Sequence, residues 1–206
     1  MATDNPPAAS TDAHLLLPVL PLRDMCLFPE ASLTVMIARP GALKALEVAA
    51  RTGGRLLALS MKDAGSRNPR DVQSLGTVAT IAEDVTLSDG THRVELDGLR
   101  RARALELIGG DALVAEADGL AEGDPADEWG PAVEALARYL HAHADLRSFL
   151  DQQRRSKEPM AWVNLACQHL PITVSARQKL LESDAPARCA RISRGLDALL
   201  RKEKGD

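Results

Sequence analysis

Two hydrophobic periods divide this chain. From Leu15 to about Asp118 the apolar residues fall in short runs or alternate with polar ones, the pattern of β-strands. Leu15 to Leu22 is such a run, broken by Pro18 and Pro21. Proline donates no ladder hydrogen bond, so this segment reads as an irregular edge strand. Leu33 to Ile37 predicts a second strand. After Pro40-Gly41, Leu43, Leu46 and Ala50 recur at helical spacing over Ala42 to Arg51, and Gly53-Gly54 ends that helix. Leu56 to Met61 reads as a buried strand, and Lys62 to Asp71 as a surface loop. Leu75 to Thr86 is a strand that starts beside Gly76. Ser88-Asp89-Gly90-Thr91 then predicts a hairpin turn, with Gly90 supplying positive φ. Asp97-Gly98 interrupts the next alternating run and predicts a bulge. A Gly98→Val change is expected to cost about 1–3 kcal/mol, because it forces a β-branched residue into a backbone state only glycine adopts. Strands over Arg101 to Ile108 and Ala112 to Ala117 complete a small closed or nearly closed barrel of about six strands.

Residues 121–127 form a polar connector, and beyond it the period becomes helical. Four helices are expected: Pro131 to Leu150, Met160 to His169, Ser175 to Glu182 with Ser175 as N-cap, and one opened by Asp184-Ala185-Pro186. Lys202 and Lys204 suit the negative end of the last helix dipole. The domain map is therefore a tail over 1–13, a barrel over 14–120 and a helical unit over 128–206. Limited proteolysis is expected to trim the tail, then cut the Lys62–Asp71 loop or the connector.

Composition narrows the function. Aromatic residues are only 2% of the chain, so the core rests on Leu, Val, Ile and Ala, and base stacking on exposed rings has little to work with. A net charge of −4 provides no global basic surface for phosphate, which argues against nucleic acid. Cys26, Cys167 and Cys189 are odd in number and far apart, which fits a reducing, cytoplasmic setting rather than a disulfide framework. No apolar window is long enough for a transmembrane helix, and the first residues lack the basic and apolar regions of a signal peptide.

Three blocks carry a family resemblance. They are Leu17 to Pro29, containing Pro21-Leu22-Arg23-Asp24-Met25-Cys26-Leu27-Phe28-Pro29; Val72 to Ala79, containing Gly76; and Leu87 to Arg103, containing Gly90, Gly98, Arg101 and Arg103. In order and spacing they resemble the N-terminal substrate-binding domain of Lon, the ATP-dependent protease. The later stretches Ala166 to Ile172 and Arg177 to Asp184 are similar too. The resemblance implies an α+β fold: a PUA-like six-stranded β-barrel with a short helix, followed by a C-terminal helical bundle. It implies a module that recognises unfolded or damaged polypeptide, with a Lon-type protease as partner and a place in protein quality control. Glu30 departs from the family, where many relatives carry Gly, and Leu33-Thr34 replaces a commonly Pro-containing strand. Met1 and the charged end Arg201 to Asp206 favour a standalone protein over a cut piece.

Catalysis finds no support. The sequence has no Gly-x-x-x-x-Gly-Lys-[Ser/Thr] phosphate cradle and no Gly-x-Ser-x-Gly elbow, and Ser60-Met61-Lys62 lacks the context of Lon's Ser-Lys dyad. ATP turnover and casein cleavage are not expected. Neither is a metal or cofactor: His141 and His143 point to different helix faces, as do Cys167 and His169, and no Cys-x-x-Cys pair occurs. Cys26 reads as an inert buried thiol. Arg100, Arg101 and Arg103 form the one dense basic cluster; they either anchor an acidic partner or nucleic acid, or pair with nearby carboxylates. Trp129 and Trp162 read as packing anchors. Met25, Leu27, Phe28 and Pro29 either line a groove for a client polypeptide or belong to the core, and Phe28→Ser would separate the two. The runner-up function is a nucleic-acid or small-ligand binder, since PUA-like barrels include RNA-binding members.

Overall fold

The structure is a computed structural model that describes residues 14–125 and 128–203. The expected tail over 1–13, part of the connector (Ala126, Asp127) and Lys204 lie outside the described residues. Strands β1 (Leu15–Leu22), β2 (Ser32–Ile37), β3 (Arg55–Ser60), β4 (Leu75–Thr86), β5 (His92–Ile108) and β6 (Val114–Gly119) precede helices α2 (Trp129–Ala142), α3 (Ala144–Gln153), α4 (Pro159–His169), α5 (Val174–Leu181) and α6 (Ala185–Glu203). Helix α1 (Pro40–Arg51) crosses from β2 to β3. The fold is α+β, with one six-stranded sheet ordered β2-β5-β4-β3-β1-β6 and an extra β5–β6 pairing. That extra ladder makes the circuit β5-β4-β3-β1-β6-β5 continuous and leaves β2 hanging from the first half of β5.

The prolines of β1 fit because the strand changes partner midway. Leu15–Pro18 pairs antiparallel with β6, and Val19–Leu22 pairs parallel with β3. Each half thus has one strand partner, and a missing N–H on the other side costs no ladder bond. The single-edge-strand expectation is corrected accordingly: β1 lies inside the sheet order. In β2, Leu33, Val35 and Ile37 are buried while Thr34 and Met36 face outward, the plain period of two. Helix α1 begins with Pro40, whose absent N–H is free of cost at that position, and buries Ala45, Leu46 and Ala49. It stops where Gly53 (φ +94°) and Gly54 (φ +74°) turn left-handed and the Gly54 N–H caps the Ala49 carbonyl at 2.7 Å.

The β4–β5 turn forms as expected, with Gly90 at φ +81° and the Asp89 carboxylate accepting from the Thr91 N–H. The bulge is displaced from its expected place. Asp97 and Gly98 both pair with β4, opposite Thr80 and Ala79, and Leu99 is the residue skipped.

Five helices, not four, follow the sheet. The expected helix over 131–150 breaks at His143, whose backbone (φ −126°, ψ 70°) leaves the helical region. Its ring instead stacks on Tyr139 at 4.0 Å. Helix α4 ends because Leu170 precedes Pro171 and turns extended. The N-cap of α5 is Thr173 rather than Ser175: its hydroxyl accepts from the Ala176 N–H at 3.2 Å. Asp184 does cap α6, accepting from Ala187 at 3.0 Å.

Two buried clusters lie within the sheet region, one of them packed on Leu46 and Ala49 of α1. The third joins all five helices after the sheet with Cys26, Phe28, Ala31 and Leu75. The helical core therefore closes over side chains supplied by the first half of the chain.

Candidate functional site

The segment between β1 and β2 is tied down from all sides. The Ser60 hydroxyl donates to the Met25 carbonyl at 2.8 Å, and the Thr77 hydroxyl to that of Leu27 at 2.6 Å. The Phe28 N–H donates to Gln168 Oε1 at 3.1 Å, while Gln168 Nε2 donates to the Ser32 carbonyl at 2.8 Å. Gln178 Nε2 reaches the Leu75 carbonyl at 2.9 Å. Each bond satisfies a backbone group that no ladder serves. Gly98 lets this segment lie flat on β5: its N–H donates to the Ala31 carbonyl at 2.9 Å and its carbonyl accepts from Glu30 at 2.8 Å. Gly76 plays the same role against the Ala58 backbone. Glu30 stands at φ +57°, a left-handed position that favours glycine.

This geometry corrects the groove expectation. Leu27 and Phe28 are 1% and 0% exposed, and Pro29 is buried with them, so none offers a face to a ligand. They link the sheet core to the helical core. Only Met25, 40% exposed, remains available.

Met25 opens onto a large groove of about 890 Å³. One wall is the end of β1, with Pro21, Leu22 and Arg23; the other is β2, with Thr34 and Met36, the latter 59% exposed. The start of α1 and the tips of the 62–71 loop and of the β5–β6 turn close the ends. Four arginines line it: Arg23, Arg39, Arg67 and Arg70, all exposed. Arg23 donates to the Ser66 carbonyl at 3.2 Å and so holds the 62–71 loop against the strand. Asp111 is the sole carboxylate in the lining. Sequence reasoning missed Met36, Arg39, Arg67 and Arg70. The outward phase of Met36 between Val35 and Ile37 was the available signal; the three arginines come together only through the fold.

Arg101 is no surface anchor. It is 3% exposed, and its guanidinium donates to Glu122 at 2.6 Å, to the Ala121 carbonyl at 2.7 Å and to the Leu181 and Glu182 carbonyls. Glu122 also accepts from Arg188 at 3.0 Å; Arg188 is fully buried and reaches Asn164, Leu180 and Ser183 as well. Two arginines thus share one carboxylate and cap the end of α5, a network the sequence did not reveal because its members lie up to 87 positions apart, from Arg101 to Arg188. Arg103 is exposed on β5, opposite Leu75 and Asp118. Of the other candidates, Gly90 serves the hairpin alone.

The three thiols are buried. Burial pushes Cys26 up, Cys167 up to about 12 and Cys189 up to about 11, so none is a ready nucleophile at neutral pH. Trp162 is half-buried with Arg154 stacked over its ring at 4.8 Å, whereas Trp129 is 40% exposed. Among the described residues, no group of three or more His, Cys, Asp or Glu could hold a metal ion, and no helix is long and apolar enough to cross a membrane.

An α+β domain with an open, mostly apolar groove offers a surface on which a ligand can be bound. The comparisons agree with that role. Residues 16–199 match the family described as the ATP-dependent protease La (LON) substrate-binding domain, and the chain belongs to that family. It is 30% identical to Lon protease of Xanthomonas oryzae pv. oryzae over 196 residues, which are 87% of this chain and 22% of that protein. It is 30% identical to Lon protease 1 of Thermus thermophilus over 199 residues, 91% of this chain and 25% of that one. The chain thus spans about a quarter of the length of these relatives. In fold it is similar to the N-terminal domain of Mycobacterium avium complex Lon protease, with TM-score 0.70 at 22% identity, covering 89% of this chain and 98% of that one. A Lon N-terminal domain protein from Xanthomonas campestris matches with TM-score 0.59 at 20% identity, over 86% and 95% of the two chains.

Proposed function

We propose that this protein is a non-catalytic polypeptide-binding module. It recognises unfolded or damaged protein segments in the cytoplasm and acts as an adaptor or regulator of proteolysis, with a Lon-type protease as partner. Its sheet is a PUA-like barrel and its helices form the supporting bundle. The observation that carries this reading is membership of the substrate-binding family over almost the whole chain, in a molecule with a wide groove bearing Met25 and Met36. Methionine suits varied clients because its flexible, polarizable side chain adapts to different apolar partners.

The test is a titration of a labelled, permanently unfolded polypeptide against the purified chain, with a folded version of the same polypeptide and a single-stranded RNA alongside. The reading expects binding of the unfolded form in the micromolar range or looser, since ordering a flexible client offsets much of the contact energy. Binding of RNA alone, lost steeply as salt rises, would replace it with the nucleic-acid reading.

A further inference from the structure

The groove has two properties that a generic apolar patch lacks. The first is an open strand edge. Among the described residues, β2 pairs with β5 on one side and with no strand on the other, and its residues 34–37 line the groove. Facing it, Leu20–Leu22 of β1 pair, among the described residues, with β3 alone, while the Val19 N–H also donates to the Leu113 carbonyl. An unpaired edge presents N–H and C=O groups in a row, ready for an added strand. β2 carries no charged side chain; its Ser32 carbonyl is already taken by Gln168, so the open stretch of its edge is residues 34–37.

The second property is charge. The chain as a whole is acidic, at −4. The groove is locally the reverse, with Arg23, Arg39, Arg67 and Arg70 against Asp111 alone. None of these four arginines forms an ion pair with a carboxylate among the described residues. Arg23 is engaged with the Ser66 carbonyl alone, and the other three carry no carboxylate partner among the described residues.

On the reading of this chain as a polypeptide-binding module, we propose that the groove takes its client as an extended strand added to the free edge of β2, and selects segments in which apolar residues alternate with or are flanked by Asp and Glu. Backbone pairing along β2 provides affinity for any extended chain. Apolar client side chains rest on Met25 and Met36. Acidic ones meet Arg39 and Arg67 at the rim. Such a site ignores folded proteins, whose strands are already paired, and disfavours lysine-rich segments by like charge.

The experiment uses the intact chain and three fluorescent peptides of about eight residues, enough to follow the six residues of β2. All three share one apolar alternation. The first is flanked by glutamates, the second by lysines; the third is the first with alternate backbone nitrogens methylated. Binding is measured for wild type, for Met36→Asp and for the double charge reversal Arg39→Glu, Arg67→Glu. Arg23 and Arg70 are left intact, because the first holds the 62–71 loop and the second packs over Gly109. Circular dichroism and thermal melting confirm that the variants fold. The expected result is a preference of about tenfold for the glutamate peptide over the lysine peptide at low salt, shrinking as salt screens the rim. The double reversal inverts that preference, and Met36→Asp and backbone methylation each weaken the glutamate peptide at least about tenfold. Equal binding of the methylated peptide would overturn strand addition, and a preference untouched by the double reversal would overturn the charge selection. Either failure leaves the general reading standing if a long unfolded polypeptide still binds the wild type. If that polypeptide does not bind either, the reading as a client-binding module fails with it.

Discussion

Replacing Gly98 by alanine tests how the two halves of the chain are joined. A Cβ at Gly98 would lie 3.1 Å from the Phe28 carbonyl carbon and 3.3 Å from the Ala31 oxygen, with the Phe28 oxygen nearer still. No side chain can give way there, because every atom in the path is backbone. The 28–31 turn would have to lift off β5. That movement strains or breaks the two bonds Gly98 makes, N–H to Ala31 at 2.9 Å and carbonyl from Glu30 at 2.8 Å. It also drags Phe28, Ala31 and Cys26 out of the helical core. Overpacking costs about 1–3 kcal/mol and each of the two lost hydrogen bonds about 0.5–1.5 kcal/mol, so the sum is about 2–6 kcal/mol. Gly90→Ala is the control. Unlike Gly98, it stands at positive φ, +81°, and nothing lies within 4 Å of its Cβ, so its cost is about 1–2 kcal/mol, from the backbone angle alone. In urea, with a slope of about 2 kcal/mol per molar, Gly98→Ala should lower the midpoint by about 1–3 M and Gly90→Ala by about 0.5–1 M, the smaller of the two shifts. Equal shifts for the two variants would refute the close-approach argument.

Other outcomes follow from neighbouring geometry. Glu30→Gly should stabilise the protein by about 0.5–1 kcal/mol in the same urea assay, because it relieves a left-handed non-glycine residue that is exposed and whose side chain makes no hydrogen bond among those described. Arg188→Leu should cost about 3–5 kcal/mol, since it takes the buried donor from the Asn164, Leu180 and Ser183 oxygens, while Glu122 keeps only Arg101; a loss below about 1 kcal/mol would mean the network contributes little. A thiol reagent at mildly alkaline pH should label none of the three cysteines until denaturant is added, because burial both shields the sulfurs and raises their pKa. A protease of broad specificity such as proteinase K should cut first in the 62–71 loop, before the connector, where Arg101 and Arg188 grip Ala121 and Glu122; a first cut beside residue 122 would contradict this.

The sheet and most helix ends were legible in the sequence because local chemistry sets them. The alternation of β2, the Ser88–Thr91 turn, the glycine stop after α1 and the Asp184 cap are all short-range signals. What failed was long-range. Cys26 to Pro29 is an apolar run in any reading, and whether such a run faces a ligand or a second core depends on Gln168 and Gln178, some 140–150 positions away. Of the two readings of Arg101, pairing with a carboxylate holds, but the sequence could not name the partners, which sit in the connector and at the end of α5. Gly98 was singled out correctly but for a backbone angle it does not have; its need is space. The break at His143 gives no glycine or proline to read, and follows from stacking on Tyr139.

The central claim is that clients bind in the groove between β1 and β2. It is tested most directly by titrating one labelled unfolded polypeptide against three proteins: wild type, Met36→Asp and Leu105→Asp. Both substitutions place a carboxylate at an exposed apolar strand position, 59% and 52% exposed, but only Met36 lines the groove. Phe28→Ser cannot serve, since Phe28 is fully buried and its loss would report on folding. The account predicts that Met36→Asp weakens binding at least about tenfold, equivalent to about 1.4 kcal/mol, while Leu105→Asp binds like wild type. Unchanged binding by a folded Met36→Asp, or an equal loss in both variants, would contradict it.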